Sequence, residues 1–177
     1  MGSDEVTAVP EIIVRRVRAD EAAAFRDCRL RALADAPTAF STTLAEAEVM
    51  PPSYWEGRVS DGAAGVKSVM MVAVGAATDA WLGVTVGYRD EADATVGHVV
   101  SVWVAPEARR SGAARLLLQA VHSWARALGL QSLKLGVTDT NLPARRLYEG
   151  AGYRLTGTAQ PMPGHPGLHE IDMVFEL

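Results

Sequence analysis

The sequence predicts one α/β domain built on a mixed, mostly antiparallel sheet with helices on both faces. Three β-branched runs, Val66 to Val74, Trp81 to Tyr88 and Thr95 to Val104, follow one another across the turn-rich segments GAATDA and RDEADA, as an antiparallel meander does. An amphipathic segment, Ala113 to Leu128, then leads into a further strand-like run at Ser132. At 177 residues, with 49% apolar and 21% charged residues, the chain is sized and composed for a single globular core.

Each element has its own signal. Glu11 to Arg18 (EIIVRRVR) is a short β-rich run, and Ala19-Asp20 opens an alanine-rich helix through about Ala34, with Phe25, Leu30 and Leu33 at helical spacing. Asp35 to Met50 is mixed and gives no clear element. Pro51-Pro52-Ser53 then starts a short helix carrying Tyr54, Trp55 and Val59. After the meander, Leu116, Leu117, Ala120, Val121, Trp124 and Leu128 form a 3.6-residue stripe, which Gly129 ends as a C-cap. Ser132 to Val137 is a strand, and Leu142 to Glu149 a helix closed by Gly150 and Gly152. Tyr153 to Thr158 is the next strand, and a Pro/Gly loop (PMPGHPG) precedes a last strand, His169 to Leu177. No repeat, low-complexity tract or linker divides the chain; residues 12–177 read as the domain and 1–11 as a flexible N-terminal extension.

A net charge of −4 argues against a protein that coats nucleic acid or an anionic membrane. Cys28 is the one cysteine, so neither an internal disulfide nor a cysteine metal site is available, and a reducing cytoplasm fits. The segment MGSDEVTAVP lacks the charged and apolar regions of a signal peptide, and Val6 stands where a myristoylation signal wants Ser or Thr. The long apolar tract from Ser68 to Gly87 is broken by Thr78-Asp79 and punctuated by glycines, which suits two buried strands better than a membrane helix. The histidines His98, His122, His165 and His169 are scattered over different elements, so no metal is expected.

PEARRSGAARLLLQAV, Pro106 to Val121, places basic and small residues between a strand ending at Val104 and a helix beginning near Ser111 or Gly112. Such a junction aims unpaired backbone N–H groups at one point and forms an anion seat. Gly112 lets a ligand approach without a Cβ in the way, and Arg109, Arg110 and Arg115 add positive charge. The Gly-Lys-Ser/Thr ending of a Walker loop and the G-x-G-x-x-G dinucleotide fingerprint are both missing. A helix start with exposed arginines accounts for the same residues.

VWVAPEARRSGAA, Val102 to Ala114, resembles the acetyl-coenzyme A signature of the GCN5-related N-acetyltransferases (GNAT superfamily), Arg/Gln-x-x-Gly-x-Gly/Ala after a strand and a Val-x-Pro. Arg109, Gly112 and Ala114 fill its defined positions. About thirty residues on, NLPARRLYEGAGY resembles that family's N-x-x-A-x-x-L-Y-E-x-x-G-F/Y segment at Asn141, Ala144, Leu147, Tyr148, Glu149, Gly152 and Tyr153. The resemblance covers roughly Ile12 to Leu177. It implies the GNAT fold, whose fourth and fifth strands splay apart, and acetyl-CoA as cofactor with coenzyme A as product. Its pantetheine arm would pair with the strand end Val102, Trp103, Val104, and its diphosphate would fall on the amides of Arg110, Ser111, Gly112, Ala113, Ala114 and Arg115.

The same resemblance implies that Asn141 bonds the pantetheine and that Tyr148 protonates the leaving thiolate. The two lie seven residues apart, so they share a helix face roughly 10 Å apart at 1.5 Å per residue. A phenol near pKa 10 can donate to a thiol near about 8.5. The competing account makes Asn141 a helix N-cap and Tyr148 a core residue. His98, on the fourth strand where many members carry glutamate, is the candidate base for an incoming ammonium; the alternative is a packed or surface histidine. A fourth-strand N–H would stabilise the oxyanion. Glu170 and Asp172 share a face of the last strand and either could meet an amine, though solvation is the simpler expectation.

Function then reads as acetyl transfer to a primary amine by direct attack in a ternary complex. The acceptor is a small amine or a peptide amine, docking against Asp35 to Trp55 and Gln160 to His169. Thr38, Phe40, Trp55 and His165 are candidate liners, and Glu46, Glu48 and Glu56 would suit a polycation. The rival is a non-catalytic acyl-CoA sensor or interaction module. Self-association is common in the family, so a homodimer is in view.

Overall fold

The computed structural model describes residues 11–177, so all but Glu11 of the expected N-terminal extension lies outside the described residues. The elements run β1 (Ile12–Arg16), α1 (Ala22–Asp35), a 3-10 turn (Pro37–Ala39), α2 (Leu44–Glu48), α3 (Pro52–Ala64), β2 (Ser68–Gly75), β3 (Trp81–Arg89), β4 (Val96–Val104), a second 3-10 turn (Pro106–Ala108), α4 (Ala113–Ala127), β5 (Ser132–Thr138), α5 (Leu142–Gly150), β6 (Arg154–Pro161) and β7 (His169–Glu176). The strands form one sheet in the order β1-β2-β3-β4-β5-β7-β6. Neighbours are antiparallel except β4 and β5, which run parallel.

β2 explains the long apolar tract: it is buried on both faces, so polar alternation is lost. Val69, Met71 and Ala73 face α4 while Met70, Val72 and Val74 face α1 and α3, giving two apolar layers that share the sheet. In α4 the buried stripe is Ala113, Leu117, Leu118, Val121, His122, Trp124 and Ala125, and Leu116 is exposed. The expected stripe included Leu116 because a run of three leucines does not reveal which two face inward. Gly129 ends the helix at φ +73°, as its position suggested.

The segment that gave no clear element holds α2, opened by a capping box: Thr43 Oγ1 accepts the Glu46 amide at 3.2 Å and the Glu46 carboxylate accepts the Thr43 amide at 2.8 Å. Helix α3 runs thirteen residues, longer than expected, to Gly65 at φ +69°.

Candidate active site

β4 and β5 pair only from Val96 to His98 against Ser132 to Lys134. β4 then continues to Val104 on the β3 side alone, and β5 to Thr138 on the β7 side alone. Ser101 marks the divergence. It adopts φ +57°, and the β3–β4 register shifts by one residue around it, while Thr85 Oγ1 donates to the Val100 carbonyl at 3.2 Å. The gap opens into a cavity of about 680 Å³ lined by β4 from His98 to Val102, β5 from Lys134 to Thr138, and side chains of α1, α3, α5 and β7.

Val102 lines this cavity, whereas Trp103 and Val104 bury their side chains in the layers on opposite faces of the sheet. The strand end therefore turns main chain more than side chains toward the gap. Trp103 Nε1 donates to Asp35 Oδ2 at 2.9 Å, and Arg109 pairs with the same carboxylate while its Nε donates to the Val104 carbonyl. Arg109 thus ties the end of β4 to α1, and its side chain turns away from the turn that follows.

That turn is shaped by two left-handed residues, Arg110 at φ +61° and Gly112 at φ +86°. Between them Ser111 Oγ donates to the Ala108 carbonyl at 2.6 Å and accepts the Ala113 amide at 3.3 Å. A Cβ built on Gly112 meets nothing within 4 Å, so the space ahead of α4 is open. Arg110 and Arg115 are exposed beside it. The turn follows β4 by way of the 3-10 turn Pro106–Ala108 and does not contribute to the cavity lining.

Asn141 and Tyr148 both line the cavity. Asn141 is also the N-cap of α5, its Oδ1 accepting the Ala144 amide at 3.2 Å, which is the competing reading of this residue. Tyr148 packs edge-on against Tyr153 with centroids 6.0 Å apart, and burial pushes its phenol well above its ordinary range. His98 lines the same cavity, stacks on Tyr88 at 4.9 Å and holds Asp90 Oδ2 at 2.7 Å through Nε2. The His98 hydrogen bond and the Asp93 and Ala92 amides hold Asp90 down to about 2. An ionised carboxylate can only accept, so Nε2 carries a proton and donates it to Asp90.

Glu170 and Asp172 line the cavity half-buried rather than standing in solvent. Glu170 lies over Gly136 of β5, where any Cβ would collide with its carboxyl group. Burial first, and Asp172 second, raise its pKa. Of the residues expected to line an acceptor site, Phe40 and Trp55 line the cavity. Thr38 and His165 sit behind it: the Thr38 carbonyl accepts Thr138 Oγ1 at 2.9 Å, and His165 Nε2 donates to the Phe40 carbonyl at 3.2 Å. Glu46 is engaged in its helix cap, and neither it nor Glu48 or Glu56 lines the cavity. Sequence reasoning passed over Arg29, Ser101 and Asp90, which carry no motif: only the fold brings Arg29 to Ser101 and Asp90 to His98.

Among the described residues no group of three or more His, Cys, Asp or Glu side chains could hold a metal ion, and no helix is long and apolar enough to cross a membrane.

The acetyltransferase (GNAT) family model matches residues 35–153. A GNAT-family acetyltransferase structure from Streptococcus pneumoniae superposes with a TM-score of 0.81 at 18% identity, covering 94% of this chain and 99% of that one. A GCN5-related N-acetyltransferase from Kribbella flavida gives 0.75 at 24% identity, covering 94% and 98%. The Salmonella typhimurium protein yncA, solved with its cofactor acetyl-CoA, gives 0.78 at 16%, covering 94% of each chain. No curated protein matches the chain. The matched family segment spans more than half of the chain, and the whole fold superposes on those structures: the chain belongs to the GNAT acetyltransferase family.

Proposed function

We propose that residues 12–177 form one acetyl-CoA-dependent N-acetyltransferase domain that moves an acetyl group to a primary amine by direct attack within a ternary complex. The observation that carries this is the gap between β4 and β5, with Val102, His98, Asn141 and Tyr148 gathered on its walls.

The chain's own features suit the coenzyme. The β4 edge beyond His98 has no strand partner, so its main chain is free for an extended ligand. The open space at Gly112, ahead of the fifteen-residue α4, suits a diphosphate on the amides of Arg110 through Arg115. When bound, the coenzyme supplies an activated acetyl thioester. Asn141, fixed by its capping bond, is the polar anchor for the pantetheine arm. Tyr148 keeps its proton at neutral pH, because burial disfavours the phenolate, and holds it for the leaving sulfur. His98, oriented by Asp90, accepts the proton of the incoming amine at Nδ1. Glu170 is a second acceptor of that proton in the same cavity.

Calorimetric titration with acetyl-CoA, followed by a thiol-release assay across small amines and peptides, tests the proposal. The expected result is coenzyme binding and amine-dependent release. Gly112→Val should weaken coenzyme binding at least tenfold, because a β-branched residue resists φ +86° and its side chain enters the open space. Unchanged affinity in that variant would remove the cradle from the account.

A further inference from the structure

We propose that Arg29 forms an oxyanion subsite in the acceptor cavity, so that the amine acetylated by this chain carries a carboxylate or a like-shaped anionic group. The inference rests on the N-acetyltransferase reading and names its substrate class.

Arg29 projects from α1 into the cavity wall, half-buried. Arg31 on the same helix pairs with Glu107, Arg15 with Glu21 and Asp79, and Arg109 with Asp35. Arg29 has no carboxylate partner among the described residues. Its one hydrogen bond is a long one, Nη1 to Ser101 Oγ at 3.4 Å, and its guanidinium lies over the Phe40 ring at 4.5 Å. These contacts fix the group beside the β4 bulge while leaving most of its N–H donors unused. Burying a cation without an anion is unfavourable, and the loss of water lowers the Arg29 pKa, with Arg58 adding repulsion. A planar fork in this state matches a carboxylate on two N–H donors.

The rest of the lining agrees. Arg58 of α3 and Lys134 of β5 add positive charge, and Trp55, in the same wall, has a buried indole N–H with no partner among the described residues. The acids Glu170 and Asp172 come from β7 and suit the ammonium end of the same molecule. A cavity with three cations and two acids fits a zwitterion and repels a polyamine or aminoglycoside. The acidic residues that would have favoured a polycation, Glu46, Glu48 and Glu56, lie outside the lining.

The test compares L-amino acids with their C-terminal amides and decarboxylated amines, with 2-aminoethylphosphonate and spermidine as further arms. Thiol release gives kcat/KM, and calorimetry on the coenzyme-loaded protein gives binding where turnover is too slow to follow. Wild type should favour the acidic member of each pair at least tenfold. Arg29→Gln should bring that ratio close to one, and Arg29→Lys, which keeps the charge but not the fork, should retain part of it. The phosphonate arm reports whether the subsite takes a second oxyanion class. Preference for amides or spermidine, no preference in either readout, or equal loss on both members of a pair in Arg29→Gln would overturn the subsite. Loss of acetyl-CoA binding in wild type would instead remove the acetyltransferase reading beneath it.

Discussion

Glu170 meets Gly136 only because β7 lies antiparallel to β5, thirty-four positions apart in the chain. No local pattern announces the pair, which is why the sequence left Glu170 as a solvated acid while the structure lays it in the cavity. Gly136→Ala puts a methyl group where the carboxyl lies, so Glu170 must swing aside. Turnover with the best amine should fall about tenfold, the scale of a displaced proton acceptor, and steady-state kinetics checks it. His122 is a second residue whose burial was illegible, since histidine occurs on both faces of amphipathic helices. Its ring stacks on Phe175 at 4.1 Å, Nε2 lies 2.9 Å from the Tyr153 hydroxyl, and burial lowers its pKa to about 4. The unfolded chain then binds the proton more tightly than the native one, so stability is full above about 6.5 and is lost as pH falls toward about 4. The loss expected is roughly 3 kcal/mol. Denaturation at pH 7 and 4.5 should show it, and His122→Leu should flatten that part of the profile.

Elements were more legible than the residues between them. Strands β2 to β5 and helix α4 stood out because both depend on runs of apolar side chains, which a sequence displays directly. α2 did not, although Thr43 and Glu46 spelled its capping box, because five residues hold too few apolar positions to show a period. The separation of β4 from β5 follows from pairing that stops after three residues on each strand, and only the resemblance to a known family foretold it. α5 allows its two roles to be separated. Asn141→Ala removes the cap and should cost about 1 kcal/mol of stability together with coenzyme affinity. Asn141→Ser keeps a capping oxygen on a shorter side chain, so stability should hold while coenzyme affinity falls. Chemical denaturation alongside calorimetry distinguishes these outcomes.

Taken whole, the molecule divides its work by sheet face and strand end. α4 covers one face and meets the end of β4 at the open turn of Gly112, while α1 and α3 cover the other and wall the cavity. Asp35 joins the halves by holding both Trp103 and Arg109. The net charge of −4 hides a local grouping of Arg29, Arg58 and Lys134, which no composition could reveal. The proposed acetyl transfer takes place in the gap between β4 and β5, with Tyr148 supplying the proton. The most direct measurement is acetyl-CoA-dependent thiol release by wild type, Tyr148→Phe and His98→Ala, with coenzyme affinity measured on each. Amine-dependent release that drops about a hundredfold in Tyr148→Phe and at least tenfold in His98→Ala, at unchanged coenzyme affinity, is the result expected. Tight coenzyme binding with no release for any amine, or release that is indifferent to Tyr148, would contradict it.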